Sequence, residues 1–272
     1  MTGIQKIIKY FALSLAAVII ISIITSVMFG ITSISNAFLD NEEDTSKKDI
    51  FDLNVPTENI YMLDIELEAS NLLIKEGIEF KAETNNNDIK IKQNGTKLEI
   101  KEKDNSIFSN GSNEDLIIYV PSYFSFNEVE IEMGVGKIFV DSLTTRKLDM
   151  DFGAGKSVIN NLNVLDTASL NGGAGTILIN GGTINNLDLE VGVGSFELNS
   201  ILTGNNSIEA GIGKLDINIL DSFTNYRVSA EKGLGSCKLN GQTMDDMVVY
   251  GTGNNVVNIA GGIGSITIDF NN

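Results

Sequence analysis

The stretch from Asp188 to Asn218 reads DLEVGVGSFELNSILTGNNSIEAGIGKLDIN and contains two copies of the unit on which the fold depends. In each copy a Gly-x-Gly step, at Gly192 and again at Gly211, lies between two segments in which apolar and polar residues alternate. Alternation with a period of two is typical of a β-strand that buries one face. Because glycine permits positive φ and close backbone approach, each Gly-x-Gly predicts a tight corner between two strands.

The same unit recurs over the C-terminal half of the chain. The copies begin at Gly134, Gly153, Gly173, Gly192, Gly211, Gly233, Gly251 and Gly262, so the spacing is 18 to 22 residues except for a last interval of 11. A repeat of about 20 residues predicts a solenoid with one coil per copy. We therefore expect an all-β, right- or left-handed parallel β-solenoid (β-helix) of about seven coils. The last half-coil would close the C-terminal end, and an irregular β cap would cover the other end.

Two columns of residues have a structural role in this prediction. The corner glycines are Gly134, Gly136, Gly153, Gly155, Gly173, Gly175, Gly192, Gly194, Gly211, Gly213, Gly233 and Gly235. Five residues after the second glycine stands an amide column that comprises Asn160, Asn180, Asn199, Asn218 and Asn240, with Asp141, Asn258 and Asp269 in the remaining copies. Asparagine tolerates the left-handed conformation at a corner, and stacked amides can hydrogen-bond along the solenoid axis.

A third column is acidic and supplies the only candidate binding residues. In the first six copies the residues two positions before the first glycine are Glu132, Asp151, Asn171, Glu190, Glu209 and Glu231. They alternate with apolar residues, so we expect them on the outer face. We interpret this strip as a solvated face, partly neutralised by Lys137, Lys156 and Lys214. The alternative is a weak divalent-cation site or a surface that attracts a cationic partner.

The composition excludes several classes of function. The 272 residues carry a formal net charge of −17, which would repel the phosphates of nucleic acid. With no His and a single Cys, the chain lacks the residues for His-based triads, imidazole zinc sites, disulfides and thiolate clusters. The absence of Trp disfavours an aromatic cage.

The N-terminal part of the chain predicts a membrane anchor. No charged residue occurs from Tyr10 to Leu39, and the apolar core at 11–31 is long enough to cross a hydrocarbon layer about 30 Å thick. Lys6 and Lys9 precede the segment and acidic residues follow it, which favours a cytoplasmic N-terminus and an extracellular C-terminal domain. A cleaved signal peptide, whose apolar region is normally shorter, is the alternative.

These features divide the chain into five parts. We predict a cytoplasmic N-terminus (1–9), a transmembrane anchor (10–35), a juxtamembrane spacer (36–59), a β-rich capping region (60–131) and the Gly-x-Gly solenoid (132–272).

A catalytic solenoid acting on polysaccharide would need clustered carboxylates. The best such cluster consists of Glu130, Glu132, Asp149 and Asp151. These residues belong to the regular ladder, and the two arginines of the chain lie in different copies. We therefore predict no enzyme and no catalytic residue. Cys237 falls in an inward-facing column and is expected to be an inert core residue.

Several motifs together resemble the bacterial putative adhesin family, whose members are small membrane-anchored proteins built around a β-solenoid domain of unknown function. The matching features are the anchor, LDIEL at 63–67, NGTKL at 94–98, LIIYVP at 116–121 and GGIGSI at 261–266. The resemblance covers about residues 60–272 and implies attachment to a surface. Some relatives lie in loci that respond to envelope stress. No catalytic residue is known for the family, so none is carried over.

We therefore expect a membrane-anchored, surface-exposed, non-enzymatic β-solenoid that acts as an adhesin or as a cell-envelope binding or spacer protein. The alternative is a regulatory partner in envelope-stress signalling, in which the region 60–131 or the spacer would contact a membrane sensor. The expected partners are the lipid bilayer, through residues 10–35, and a cell-envelope polymer or a membrane protein. We expect no cofactor other than a weakly held divalent cation.

Overall fold

A computed structural model describes residues 51–53, 59–103 and 115–271, with side chains from residue 59 onward. The predicted transmembrane segment at 10–35 and most of the predicted spacer lie outside these ranges. Within them, no helix is long and apolar enough to span a membrane. The described part of the chain is all-β, with a single 3₁₀ turn at Phe223–Asn225.

The strands follow the alternation read from the sequence. Before the repeats lie β1 (Phe51–Leu53), β2 (Met62–Leu67), β3 (Asn71–Gly77), β4 (Lys81–Thr84), β5 (Ile89–Asn94), β6 (Lys97–Glu102) and β7 (Asp115–Pro121). The repeats contain β8 (Phe126–Met133), β9 (Val135–Val140), β10 (Leu143–Asp151), β11 (Ala154–Ile159), β12 (Leu162–Asn171), β13 (Ala174–Ile179), β14 (Gly182–Asn185), β15 (Leu187–Glu190), β16 (Val193–Thr203), β17 (Asn205–Glu209) and β18 (Ile212–Ile219). The C-terminal strands are β19 (Tyr226–Glu231), β20 (Leu234–Leu239), β21 (Gln242–Thr243), β22 (Val249–Tyr250), β23 (Asn255–Ala260) and β24 (Ile263–Phe270).

From β8 to β18 the chain winds in sequence order between two stacks of parallel strands. One stack, sheet B, pairs β8, β10, β12, β15 and β17. The other, sheet A, pairs β9, β11, β13, β16 and β18. Each Gly-x-Gly corner carries the chain from sheet B to sheet A, so the predicted parallel β-solenoid is confirmed for this region.

The core lies between the two sheets. Most residues two and four positions after the second glycine are buried, and Phe196 and Leu198 are at most 1% exposed. Phe196 packs edge-on against Phe152 with ring centroids 6.4 Å apart. Cys237 belongs to the same inward column and is buried, as predicted, with its Sγ 3.6 Å from the Sδ of Met244. Burial raises the pKa of the Cys237 thiol.

The C-terminal end does not follow the predicted order. We expected the last strand to close the stack, but β23 lies between β17 and β19, and β24 lies between β18 and β20. The outermost layer is therefore β19 with β20, and the chain returns to insert its final coil inside it. Gly251 is therefore not a coil corner. The residues from Gly233 to Gly262 form one coil with a long connection between β20 and β23. Gly251 and Gly253 pack against Tyr226 and Asn225 rather than against another glycine corner.

The region 60–131 differs from an irregular cap in a similar way. β2 pairs in parallel with both β6 and β8, and β3 pairs in parallel with both β7 and β9. Two more layers thus extend the solenoid. The layer of β2 and β3 lies next to β8 and β9, and the layer of β6 and β7 lies outside it. Only three strands cap this end of the stack. β5 pairs antiparallel with β6, β4 pairs antiparallel with β7, and β1 pairs antiparallel with β4. The region 60–131 contains no Gly-x-Gly, and residues 68–70 form the corner between β2 and β3.

Candidate functional site: the outer face of sheet B

The acidic column forms one continuous row on the outer face of sheet B. We call this row the acidic strip, and its members occupy paired positions of neighbouring strands in the order Glu66, Glu132, Asp151, Asn171, Glu190 and Glu209. The predicted members are all exposed, because they alternate with buried residues such as Leu170 and Leu189. A second row runs beside it through Asp64, Glu130, Asp149, Ser169, Asp188 and Ser207.

Glu231 does not continue the acidic strip as the spacing predicts. Ala260 of β23 lies between Glu209 and Glu231, because Glu209 pairs with Ala260 and Ala260 pairs with Glu231. The inserted C-terminal coil therefore separates two carboxylates that would otherwise face each other on adjacent strands. In the second row, Asn258 likewise separates Ser207 from Ser229. This also removes Asn258 from the predicted amide column of sheet A.

Lysines of β6 neutralise the strip at its N-terminal end. The Lys97 ammonium lies 2.9 Å from Oδ2 of Asp64 and 2.8 Å from Oε2 of Glu130, and Lys101 pairs with Glu66. Hydrogen bonds to Asp64 and Glu130 raise the pKa of Lys97. These two lysines are counter-charges that the repeat pattern does not predict. Lys214 instead pairs with Asp216 on its own strand in sheet A.

Beyond these lysines the carboxylates repel one another. The pKa of Glu132 is raised above its ordinary value, first by partial burial and then by the charges of Glu66 and Asp151. Asp151 accepts a hydrogen bond of 2.6 Å from the Asn171 amide, so the one uncharged member of the strip binds its neighbour. Among residues 59–103 and 115–271 there is no group of three or more acidic or cysteine side chains placed to hold a metal ion.

The corner glycines are explained by close contact between successive coils. A Cβ at Gly192 would lie 2.0 Å from the Gly173 carbonyl oxygen, and one at Gly194 would lie 1.9 Å from that of Gly175. Gly194 also has φ +137°, so its conformation excludes other residues as well. The carbonyls that a side chain would strike accept hydrogen bonds from the next corner, for example from Val193 to Gly173 at 2.9 Å.

The amide column forms hydrogen bonds along the stack, as expected, but not left-handed corners. Asn180 donates to Asn160 at 3.1 Å, and Asn218 donates to Asn199 at 3.3 Å. Of the five predicted amides only Asn240 has a positive φ, of 47°. Its Oδ1 accepts the backbone N–H of Phe270 at 3.1 Å, so this amide connects the outermost layer to the inserted coil.

No sequence pattern predicts the residue that closes the corner between β2 and β3, which is Glu102 of β6. Backbone N–H groups of Glu68, Ala69 and Ser70 donate to Oε2 of Glu102 at 2.8, 3.0 and 3.2 Å. The Ser70 hydroxyl and the Asn86 amide donate to Oε1 at 3.0 and 2.8 Å. At stacked corners the corresponding N–H groups donate to carbonyls of the neighbouring corner, as from Ala154 to Gly134 and from Ala174 to Gly153, both at 2.8 Å. A carboxylate from β6 here takes the place of such carbonyls.

Apolar side chains follow the edge where the corners stack. The residues between the glycines lie in register as Val135, Ala154, Ala174, Val193, Ile212, Ile263 and Leu234, which we call the apolar ridge. Its two ends are the most exposed, with Val135 at 61% and Leu234 at 74%. Met247 and Val249, near Leu234 along the chain, are 73% and 61% exposed. The cavity beneath this edge is only about 20 Å³, room for one water molecule.

A shallow polar groove lies on sheet B where β10, β12 and β14 begin, and the exposed Arg146 and Lys147 separate it along β10 from the two rows. Its volume is about 410 Å³, within the range of small-ligand sites. The groove is lined by hydroxyl and amide side chains that include Thr144, Asn163, Thr183 and Thr203, with the half-exposed Leu165 among them. These groups can donate and accept hydrogen bonds but carry no charge, which suits a polyhydroxylated ligand.

Comparison with known proteins identifies the domain type. The family model described as Toastrack DUF4097 matches residues 52–244. No curated protein matches the chain. Among solved structures, a putative cell adhesion protein of Clostridium sporogenes ATCC 15579 is 18% identical with a TM-score of 0.37, covering 83% of this chain and 100% of its own. A putative adhesin of Bacteroides fragilis NCTC 9343 is 15% identical with a TM-score of 0.44, covering 82% and 98%.

Proposed function

The chain belongs to the Toastrack DUF4097 family, and on that premise we propose that it is a membrane-anchored, surface-exposed and non-enzymatic binding module of the cell envelope, an adhesin or a spacer. Residues 10–35 would cross the bilayer with the N-terminus in the cytoplasm, and the solenoid would lie outside. The proposal assigns no catalytic residue and no resident cofactor. Nucleic acid is not among the proposed partners.

The strongest support for a binding role is that polar side chains lie in register, in rows, on the outer face of sheet B. Asp149, Asp188, Glu190 and Glu209 project from parallel strands that are about 4.8 Å apart. Among the described residues no lysine or arginine pairs with them. The strip can therefore attract ammonium groups on a polymer or on a basic protein surface.

The polar groove extends the same face with uncharged hydrogen-bonding groups. An envelope polymer that carries both hydroxyl and ammonium groups would find partners of each kind on sheet B, at two places along the strands. Because the strands are held by parallel pairing on both sides, the rows are fixed in position before binding. A preformed surface loses little entropy on binding, which favours recognition of an extended polymer.

A regulatory role in envelope-stress signalling is the second candidate, and a different observation favours it. Exposed apolar side chains at the C-terminal end of the stack, Leu234, Met247 and Val249, are suited to contact with a protein rather than with a glycan. In that case a membrane sensor would contact the end of the solenoid, and the acidic strip would serve solubility.

The two candidates are distinguished by charge neutralisation of the full-length chain in cells. We expect Asp149→Asn/Glu190→Gln/Glu209→Gln to reduce retention of isolated cell-wall fragments at least tenfold. The control Glu79→Gln/Glu197→Gln/Asp269→Asn removes the same charge away from sheet B and should retain wild-type binding. If both variants bind as wild type, the strip is not the binding surface. A photo-crosslinker at Leu234 that then captures a membrane protein would support the regulatory role.

The cation alternative has its own measurement. Thermal melting of the purified full-length chain with calcium, with magnesium and with EDTA should give one melting temperature, since a ligand that binds only the folded state would raise it. A rise with calcium that EDTA reverses and that Glu190→Gln/Glu209→Gln abolishes would instead make the acidic strip a metal-dependent surface.

A further inference from the structure

The polar groove on sheet B crosses four successive coils and runs along the axis of the stack. Its first row consists of Thr144, Asn163 and Thr183, which occupy paired positions of β10, β12 and β14. Its second row lies two residues further along the strands, about 7 Å away. Three strand spacings give the groove a length of about 14 Å. This shape suits an extended chain one ring wide that lies along the axis.

The second row is held in place by its own hydrogen bonds. The Asn185 amide donates to the Leu165 carbonyl oxygen at 3.0 Å, and the Thr203 hydroxyl donates to Oδ1 of Asn185 at 3.1 Å. At the groove β12 and β14 are paired on both sides, so neither offers an open edge to which a peptide would add as a strand. The walls are therefore fixed before a ligand binds, which reduces the entropy that binding costs.

The first row offers free hydrogen-bonding groups. Oδ1 of Asn163 accepts the Thr183 backbone N–H at 3.2 Å, which leaves the Asn163 Nδ2 as a donor. Within the described part of the chain, no protein group bonds to this Nδ2 or to the hydroxyls of Thr144 and Thr183. All three residues are half-buried. A row of one amide donor and two hydroxyls matches a ligand that presents carbonyl and hydroxyl groups.

The groove carries no charge. The described residues that line it include no ionisable side chain, and at its border the Arg146 guanidinium is paired with Asp166 at 2.9 Å. A groove of similar volume on sheet A, about 400 Å³, is by contrast lined by the carboxylates of Glu197, Asp216 and Asp269. The groove on sheet B therefore suits a neutral ligand.

Leu165 adds an apolar contact beside the amide donor. Its side chain is 51% exposed and follows Asn163 by two residues, so the two lie on the same side of β12. An acetamido group presents a methyl group next to a carbonyl oxygen, which is the arrangement that this pair complements. A hydroxyl in the place of the acetamido group would leave Leu165 facing water.

We propose that this groove binds a neutral glycan of N-acetylated hexosamine units, which lies along the axis of the stack with one unit per coil. The inference rests on the proposed function and deepens it, because it names the kind of envelope polymer that is bound. The acetamido carbonyl accepts a hydrogen bond from Asn163, its methyl group contacts Leu165, and ring hydroxyls bond to Thr144 and Thr183. Each open groove binds weakly, and several copies on one polymer hold it more strongly.

Saturation-transfer NMR on the full-length chain in detergent tests the groove. The probe is tetra-N-acetylchitotetraose, and the control is cellotetraose, which has a hydroxyl in place of each acetamido group. We expect the acetyl methyl protons to receive the strongest saturation and the Kd of cellotetraose to be at least fivefold higher. Absence of saturation transfer to the acetylated probe, or equal binding of the two oligosaccharides, overturns the proposal.

Substitutions locate the binding. Thr144→Val/Thr183→Val keeps the side-chain shape and should raise the Kd of the acetylated probe at least fivefold. The control Thr176→Val/Thr267→Val removes two hydroxyls from half-buried positions of sheet A and should bind as wild type. Leu165→Ser should abolish the preference for the acetylated probe over cellotetraose. Equal effects of the two double variants, or an unchanged preference in Leu165→Ser, overturn the assignment.

The deacetylated tetramer, which carries ammonium groups, separates the groove from the acidic strip. Asp149→Asn/Glu190→Gln/Glu209→Gln should lose the deacetylated tetramer and bind the acetylated probe as wild type. Loss of the acetylated probe in this variant would place its binding on the strip and overturn the proposal.

Retention of isolated cell-wall fragments separates this inference from the proposed function. If the wild-type chain retains the fragments but not the acetylated probe, the groove assignment fails and the proposed function stands. If it retains neither, both fail. Where the probe binds, its displacement by wall fragments supports the cell's own wall as the source of the glycan, and lack of displacement supports a glycan of another surface.

Discussion

The Glu102 carboxylate is hydrogen-bonded to Ser70 through both of its oxygens, with Oε2 accepting the Ser70 backbone N–H at 3.2 Å and Oε1 accepting the Ser70 hydroxyl at 3.0 Å. Ser70 occupies the position of a second corner glycine, because a Cβ at Gly136 would lie 2.6 Å from its carbonyl oxygen. In the neighbouring layer, β6 ends at Glu102 itself, and no Gly-x-Gly follows it in the sequence before β7. A side chain therefore supplies the acceptors that a neighbouring backbone supplies in the other copies.

Glu102→Ala should destabilise the fold by about 2 kcal/mol, because several backbone donors lose a charged acceptor at a position that is partly closed to water. Glu102→Gln, which keeps one acceptor oxygen, should cost less. Urea unfolding measures both against Glu99→Gln, a change in the same strand whose carboxylate accepts only the exposed Asn94 amide at 2.8 Å. If Glu102→Ala unfolds at the same urea concentration as Glu99→Gln, the capping role is wrong.

The second corner glycine should tolerate no side chain. Gly194→Ala places a Cβ 1.9 Å from a carbonyl oxygen and forces a residue with φ +137° into an unfavourable conformation. We expect a loss of about 3 kcal/mol or more, from strain and overpacking together. Gly181→Ala is the matched control, since its Cβ would meet a single atom at 3.2 Å and its φ is ordinary. Thermal or urea unfolding compares them, and similar midpoints would contradict the stacking account.

Glu132→Gln should stabilise the protein at neutral pH and not at low pH. The pKa of Glu132 is raised in the folded state, by partial burial and by Glu66 and Asp151, so ionisation of this group costs folding free energy. A raised carboxyl pKa means that its stabilising contribution is fully present below the ordinary value of 4.5 and is lost as the pH rises through the folded value.

The advantage of the Gln variant should therefore be visible near pH 7, disappear below about pH 4 and remain under about 1 kcal/mol, because solvent screens an exposed group. Unfolding curves across this pH range measure it. A constant difference between wild type and Glu132→Gln at every pH would point to packing rather than to charge.

The parts of the fold that depend on local pattern could be predicted from the sequence. The corner at Gly192–Gly194 and the burial of Phe196 and Leu198 follow from glycine chemistry and a period of two. The order of the layers could not, because Gly211, Gly233 and Gly262 carry the same corner and each pairing would satisfy it equally. The connection at 240–254 is long enough to permit more than one stacking order, and its length carries no register information.

In the candidate site, too, the direction of each side chain follows from local pattern and its neighbours do not. The outward direction of Glu190 and Glu209 follows from alternation with Leu189 and Ile208. The neighbours of each carboxylate depend on strand order, so the counter-charges Lys97 and Lys101 come from a strand far away in sequence, and the place expected for Glu231 is taken by Ala260.

Ala260→Glu tests that order directly. The new carboxylate would lie between Glu209 and Glu231 on adjacent strands, and each like-charge pair costs about 1 kcal/mol in a water-like dielectric. We expect Ala260→Glu to be about 1 to 2 kcal/mol less stable than Ala260→Gln, which has a similar shape without the charge. The difference should vanish in 1 M salt, where the screening length falls to about 3 Å. It should also vanish when Glu209→Gln/Glu231→Gln is combined with either variant, because the repelling partners are then absent. If β19 were instead paired directly with β17, residue 260 would not lie beside both carboxylates, and Ala260→Glu would be as stable as Ala260→Gln.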